Sequence, residues 1–223
     1  MKRHVILIGA VCMAGLIFAG DVQGAFVVEL HPEGLAFEDF SGTPRYSVYA
    51  KASLAVGCTT FGSGFGSTAD PPDVYEFSYL VETGADNVPV AAGTDLGNGN
   101  PASGLAGGGT GFYNVYITWP GSDNIDPSGC DIVVTSDGAD IVLSGVDMNT
   151  GGTGTPGAND AWLLIAENVQ LTAGSTYTVT QTANSDAYVS MRGHGVMWEA
   201  VPEPCTIGLL GLGLVFLRRR RSS

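Results

Sequence analysis

Residues 25–201, which we call the body, contain short stretches in which apolar and polar residues alternate with a period of two. Within residues 74–83, every second position is aromatic or β-branched: Tyr75, Phe77, Tyr79 and Val81. The same alternation recurs at 113–119 and 175–182. Because successive side chains of a β-strand point to opposite faces, this pattern predicts strands with one buried face.

Ten strands are predicted, at 26–30, 46–56, 74–83, 113–119, 131–135, 140–146, 162–171, 175–182, 187–192 and 195–201. Short strands separated by turns, with no amphipathic helix, predict an all-β fold, an antiparallel β-sandwich of the jelly-roll type. Three connections are long and rich in glycine: 57–73, 84–111 and 149–160. Connections of this length are either functional or poorly ordered. We predict a single domain, 25–201.

The first 24 residues have the three parts of a secretory signal peptide. Lys2 and Arg3 are basic, residues 5–20 are apolar, and 22–24 offers small residues before a cleavage point at Ala25. This order predicts export and a short N-terminal helix that is removed.

Residues 202–223 also have three parts, with the basic residues last. Residues 202–204 read Pro-Glu-Pro, 206–217 are largely apolar, and a basic cluster follows: Arg218, Arg219, Arg220 and Arg221. A helix over the 13 residues 205–217 would be about 20 Å long, against a hydrocarbon core of about 30 Å. That is short for a permanent anchor, although a plain single-pass anchor and a buried helix are the alternatives.

The order of Pro202, Glu203, Pro204, the apolar run and the arginines resembles the PEP-CTERM sorting signal of bacterial surface proteins. The resemblance implies that 202–223 is a sorting signal with a short transmembrane helix, recognised by an exosortase, a membrane transpeptidase. It also implies that the tail holds the chain in the membrane before processing. The expected location is the cell envelope, the cell surface or the extracellular matrix.

The body is strongly acidic. Arg45, Lys51 and Arg192 are its only basic residues against 20 carboxylates, so its net charge is near −17. Nucleic-acid binding is excluded, because no basic patch can form to neutralise phosphates. Such a charge favours contact with cations.

No catalytic motif is present, and we expect no enzyme activity. His31 and His194 lack metalloprotease spacing, and we interpret both as surface or loop residues. A structural or adhesive role is expected, with a surface carbohydrate-binding module as the first alternative. A hydrolase without a recognisable motif is the second.

Three groups of residues are candidates for sites in the body. Cys58 and Cys130 are its two cysteines and are expected either to form a disulfide, since the compartment is oxidising, or to be buried thiols. Weak calcium candidates supply carboxylate and amide oxygens at alternate positions: Asp95, Asn98, Asp147 and Asn149. Solvated turn residues are the alternative for these four, and no other cofactor is expected.

The tryptophans are expected to lie in the core, with one exception. Trp119 is followed by Pro120-Gly121 at the end of a strand, so it is the candidate for stacking against a glycan at a loop mouth. Extracellular polysaccharide and matrix proteins are the partners that we expect.

The C-terminal half also resembles the golvesin/Xly C-terminal type of module. The resemblance lies in Gly145-Val-Asp147-Met-Asn149, in the Trp-led stretch 162–180 and in Tyr188-Val-Ser-Met-Arg192. Those modules are β-sandwiches, some of them linked to polysaccharide binding. The resemblance therefore implies the same fold.

Overall fold

A computed structural model describes residues 25–30, 37–39, 55–58, 64–66, 73–82, 92–96, 101–103, 107–121, 125–149 and 161–201. The described part of the chain is all β. Its strands are β1 (Ala25–Glu29), β2 (Phe37–Asp39), β3 (Gly64–Gly66), β4 (Val74–Leu80), β5 (Gly111–Thr118), β6 (Cys130–Val134), β7 (Ile141–Val146), β8 (Leu163–Leu171), β9 (Thr176–Ala183), β10 (Met191–Gly193) and β11 (Gly195–Val201).

The predicted helices of the signal peptide, 1–24, and of the tail, 202–223, lie outside the described residues. Within the described residues, no helix is long and apolar enough to cross a membrane.

Two antiparallel sheets form the sandwich. One has the order β1-β11-β5-β8 and the other β2-β4-β9-β6-β7, while β10 pairs with β3 in a small separate ribbon. If β2, β3 and β10 are set aside, eight strands remain, and they can be renumbered 1 to 8 in chain order. The first sheet then has the order 1-8-3-6 and the second the order 2-7-4-5. Most successive strands therefore cross from one sheet to the other. This strand order is that of a jelly roll.

The inner core lies between the two sheets and is supplied by the alternating residues of the predicted strands. Tyr75, Phe77, Tyr79 and Val81 are all 0–1% exposed, as the period of two predicts. Tyr79 is central, since its ring centroid lies 4.3 Å from that of Phe26 and 5.4 Å from that of Trp198. Its hydroxyl accepts the amide hydrogen of Gly108 at 3.1 Å, and burial raises its pKa.

The four-stranded sheet is also covered on its other face. The residues of this outer cluster are Ala25, Ala55, Leu96, Ala102, Tyr116, Trp162 and Met197. Leu96 and Ala102 come from the glycine-rich connection 84–111, and Ala55 comes from the turn 55–58. Some of the long connecting sequence therefore has a packing role, because it removes the outer face of this sheet from water.

Tyr116 of the outer cluster takes part in a polar network with Glu199 and Ser103. Glu199 Oε1 accepts the amide hydrogen of Ser103 at 2.6 Å, and the Tyr116 hydroxyl lies 3.1 Å from Glu199 Oε2. Burial, followed by the charge of Glu199, raises the pKa of Tyr116 to about 12. The tyrosine therefore stays protonated over the ordinary pH range, and its hydroxyl donates a hydrogen bond to Glu199 Oε2.

Most predicted strands are present within one to three residues of their expected ends. The stretch 187–192 is an exception, because only its last two residues enter a strand, β10. Of 46–56, residues 46–54 lie outside the described residues, and 55–56 lie in a bend and turn. The short strands β2 and β3 were not predicted.

Candidate functional site

Three chemically reactive side chains meet at one edge of the outer cluster. Glu29 is the last residue of β1, His194 lies between β10 and β11, and Cys58 ends the turn 55–58. We call this group the Glu–Cys–His site. Among the described residues, these three are the histidine, cysteine and acidic side chains whose ligand atoms lie close enough together to hold one metal ion.

The site is compact, with His194 buried and Glu29 and Cys58 partly buried. His194 Nε2 lies 2.9 Å from Glu29 Oε1, and one ligand atom from each of the three residues lies within 4.8 Å of the others. The His194 side chain is 1% exposed and that of Glu29 is 15% exposed. The site is therefore built into the domain but remains accessible from solvent on the Glu29 side.

Backbone pairing positions two of these residues. Glu29 is opposite Gly195 in the pairing of β1 with β11, which brings the end of β1 beside His194. The amide of Leu30 donates to the carbonyl of His194 at 2.7 Å and closes this edge. A Cβ at Gly195 would lie 3.2 Å from the carbonyl oxygen of Val28, which is a tight contact, so glycine allows the close approach of β1 to β11 at this point.

Trp162 positions the third residue. Its Nε1 donates to the carbonyl of Val56 at 2.7 Å, and the amide of Cys58 donates to the carbonyl of Ala55 at 3.1 Å. Ala55 and Trp162 both belong to the outer cluster. The turn that carries Cys58 is thus held by apolar packing and by a tryptophan hydrogen bond.

The interpretation of His194 as a surface or loop histidine was wrong in one respect. His194 does lie between two strands, but it is buried and faces a carboxylate. Glu29 and His194 are 165 residues apart, so no local spacing in the sequence could have indicated their contact. His31 lies outside the described residues.

The expected disulfide is not formed. Cys58 lies at the outer cluster, whereas Cys130 starts β6 and is buried in the inner core on the other side of the four-stranded sheet. The Cys130 sulfur lies 3.8 Å from the Met148 sulfur and 3.8 Å from Gln181 Nε2. Burial raises the pKa of Cys130 to about 12, so it corresponds to the alternative expectation, a buried thiol.

The glycan-stacking prediction for Trp119 was also wrong. Trp119 is 0% exposed, and its Nε1 donates to the carbonyl of Met148 at 2.9 Å. Trp162 and Trp198 are equally buried. All three tryptophans are core residues, because their large apolar area contributes more when it is removed from water.

Two of the four residues proposed for calcium, Asp147 and Asn149, form structural hydrogen bonds. Asp147 Oδ1 accepts from the amide of Asn149 at 2.9 Å, and Asn149 Oδ1 accepts from the amide of Ile125 at 2.9 Å. Together they hold the turn after β7 against the 125–129 segment. Asp95 is exposed, and its backbone pairs with that of Pro101 in an isolated antiparallel β-bridge. Asn98 lies outside the described residues. Calcium binding at these residues stays a prediction.

A different aromatic residue is available at the surface. Tyr188 is 77% exposed and lines a shallow cleft of about 410 Å³, together with Ile125, Asp126, Ala187 and Val189. The side-chain hydroxyl and the amide of Ser128 donate to Asp126 and hold the pKa of that carboxyl below its usual range. The cleft therefore combines an exposed ring with a carboxylate that is ionised at neutral pH. Nothing in the sequence pattern distinguished Tyr188 from the other tyrosines.

The residues assigned to sorting and processing, 202–204 and 218–221, lie outside the described residues. A family profile described as the PEP-CTERM protein-sorting motif matches residues 200–222. No curated protein and no solved structure matches the chain. The resemblance to golvesin-type modules is therefore not supported by any relative. The sorting motif indicates an exported protein that an exosortase processes and that associates with the cell envelope.

Proposed function

We propose that this chain is an exported protein that an exosortase attaches to or releases at the cell surface, where the β-sandwich has a structural or adhesive role without catalysis. The match to the PEP-CTERM motif over residues 200–222 is the observation that carries this proposal. The secretory signal predicted at 1–24 and the acidic body agree with a location outside the cytoplasm.

The junction between domain and tail supports the same function. Strand β11 ends at Val201, directly before the Pro-Glu-Pro residues, and it lies between β1 and β5 in its sheet. The carbonyl of Ala200 also accepts a hydrogen bond from Ser103 Oγ at 2.6 Å. The folded domain therefore extends to the sorting motif with no linker, and we expect it to lie close to the membrane until the tail is cut.

Substitution of the motif tests this function. We expect the wild-type protein recovered from the envelope to have a new C-terminus near Pro202–Pro204, because the transpeptidase removes the residues beyond its recognition site. A triple variant, Pro202→Ala, Glu203→Ala and Pro204→Ala, should keep the intact tail and accumulate in the membrane fraction. Mass spectrometry of the C-terminal peptide and cell fractionation measure both effects.

Ser222→Ala is the matched control, because it changes the tail outside the motif and the arginines. It should be processed like the wild type. Recovery of an intact Arg218–Arg221 segment on mature wild-type protein at the surface would contradict the proposal.

The Tyr188 cleft favours a second candidate function, weak binding of a neutral polysaccharide. An exposed aromatic ring beside an ionised carboxylate provides a stacking surface and a hydrogen-bond acceptor for sugar hydroxyls. The shallow form of the cleft suits a polymer chain better than a small enclosed ligand. This position replaces Trp119, which is buried.

Tyr188→Ala tests the second function. We expect it to reduce retention on an insoluble neutral glucan at least several-fold, since the stacking surface is lost. Val142→Ala is the matched control, because Val142 is 61% exposed on β7 and does not line the cleft. Equal retention of wild type and Tyr188→Ala on a polymer that binds would exclude this cleft. Absence of binding by the wild type would favour the purely structural role.

A further inference from the structure

We propose that Glu29, Cys58 and His194 form a binding site for a divalent transition metal ion, with Zn²⁺ as the best match. The three residues offer a carboxylate oxygen, a thiolate sulfur and an imidazole nitrogen, which are the three ligand types of protein zinc sites. Neither the sorting motif nor the proposed surface role assigns a function to these residues.

The distances fit a metal site that needs little rearrangement. With metal–ligand bonds of about 2.0–2.3 Å, the ligand atoms of a tetrahedral site are about 3.3–3.6 Å apart. Here the nitrogen–oxygen separation is 2.9 Å and all ligand atoms are within 4.8 Å of one another. Side-chain movements of about 1 Å therefore complete three corners of a tetrahedron around one ion.

The same distances argue against a catalytic relay of thiol, imidazole and carboxylate. In such a relay the acid and the nucleophile bind opposite nitrogens of the imidazole ring, which places the sulfur and the carboxylate oxygen roughly 7 Å apart. In this site they lie within 4.8 Å. The groups converge on one point, as ligands of an ion do, instead of lining up across the ring.

Charge also favours a cation at this point. When Cys58 is a thiolate and Glu29 is ionised beside a neutral His194, two negative charges lie within 4.8 Å of each other in a partly buried place, which is unfavourable without a counterion. A divalent ion neutralises both. Calcium does not suit the site, because it requires six to eight oxygen ligands, whereas sulfur and imidazole select for zinc-like metals.

The surroundings give the site a fixed frame and one open side. Glu29 is paired in a sheet, and the turn of Cys58 is hydrogen-bonded to Trp162. The partial exposure of Glu29 leaves a fourth coordination position that water or an external group can reach. We therefore infer three protein ligands and one exchangeable ligand.

Cobalt substitution tests the site directly. The full-length chain, carrying Cys12→Ser and Cys205→Ser so that Cys58 and Cys130 are its remaining cysteines, is purified in detergent under reducing conditions and titrated with Co²⁺. We expect one equivalent to produce a thiolate-to-cobalt charge-transfer band and tetrahedral visible bands, and Zn²⁺ to displace them. Cys58→Ala should abolish the charge-transfer band. Glu29→Gln should weaken Co²⁺ binding at least about 100-fold, by more than the loss of an outer-shell partner.

Cys130→Ala is the matched control, because Cys130 is in the inner core, and it should leave the band unchanged. The proposal would be overturned if the charge-transfer band persisted in Cys58→Ala. It would also be overturned if folded protein with Cys58 intact gave no such band. Alkylation of the protein that carries only Cys12→Ser and Cys205→Ser provides a second measurement, which does not depend on the folding of a site variant. Zn²⁺ should slow iodoacetamide labelling of Cys58 at least tenfold, measured by peptide mass spectrometry, and unchanged labelling would also overturn the proposal.

Discussion

Gly129 is a residue that the backbone requires to be glycine. Its φ is 62°, and a Cβ built there would lie 1.8 Å from the carbonyl oxygen of Val146. We expect Gly129→Ala to lower the free energy of unfolding by at least about 2 kcal/mol, because the left-handed backbone and the clash with another backbone segment both oppose alanine. Urea unfolding followed by tryptophan fluorescence measures the change.

Gly109→Ala is the matched control, since nothing lies within 4 Å of a Cβ at that position. It should alter the free energy of unfolding by no more than about 0.5 kcal/mol. Equal destabilisation by the two substitutions would show that the close approach of Gly129 to Val146 is not present in solution.

Trp119 and Tyr188 differ in how far their positions could be predicted from the sequence. The period of two placed Trp119 on the same face as Tyr113, Val115 and Ile117, and all four are buried. Trp119 is not exposed at the following loop, because the carbonyl of Met148, 29 residues away, accepts the indole N–H inside the core. Tyr188 could not be singled out, because exposure depends on how loops pack after the sheets have formed.

At the scale of the elements, strands with clear alternation were predictable and short irregular ones were not. Strand β4 pairs over its full length with residues 176–182 of β9, and the apolar positions of both strands already indicated one buried face. Strand β3 is Gly-Phe-Gly and exists through its pairing with β10, which no local pattern indicates. The bulge between β5 and β8 likewise depends on contact, because the Asn168 amide donates to Asn114 Oδ1.

The turn 55–58 allows a prediction at this scale. Trp162→Phe removes the hydrogen bond of 2.7 Å to the carbonyl of Val56 but retains most of the apolar contact of the ring. We expect the free energy of unfolding to fall by about 1 kcal/mol and the turn to loosen. In metal-free protein, iodoacetamide should then label Cys58 several times faster, as measured by peptide mass spectrometry.

Trp119→Phe is the control for this experiment. It loses a comparable indole hydrogen bond, 2.9 Å long to Met148, but on the inner side of the sheet. It should reduce stability similarly and leave the labelling rate of Cys58 unchanged. If both variants labelled Cys58 equally fast, the effect would be a general loss of stability and not a release of the turn.

For the whole molecule, the sequence predicted the class of fold and the sorting signal but not the candidate site. Strand number and the absence of helical periodicity were sufficient for a two-sheet sandwich, because each strand has one face to bury. The Glu–Cys–His site combines residues from the beginning, the first long connection and the end of the body. The pairing of β1 with β11 brings the first and last of these together.

The body as a whole carries a large negative charge. With three basic residues against 20 carboxylates, residues 25–201 repel any anionic polymer that approaches within the screening length, about 8 Å at physiological salt. Divalent cations can bridge carboxylates on both partners and reverse this repulsion. We therefore expect binding to an acidic exopolysaccharide to require Ca²⁺ and to be lost on chelation. Binding to a neutral glucan should be the same with and without chelator.

Pull-down of the surface-released protein on acidic and neutral polymers, each with and without chelator, measures all four conditions. Replacing Ca²⁺ with an equal ionic strength of NaCl separates bridging from simple screening, because monovalent salt weakens repulsion without linking two carboxylates. Binding to the acidic polymer that survives chelation would show that a local surface outweighs the net charge. The described residues provide almost no exposed positive charge for such a surface, since Arg192 is the one lysine or arginine among them and is 8% exposed.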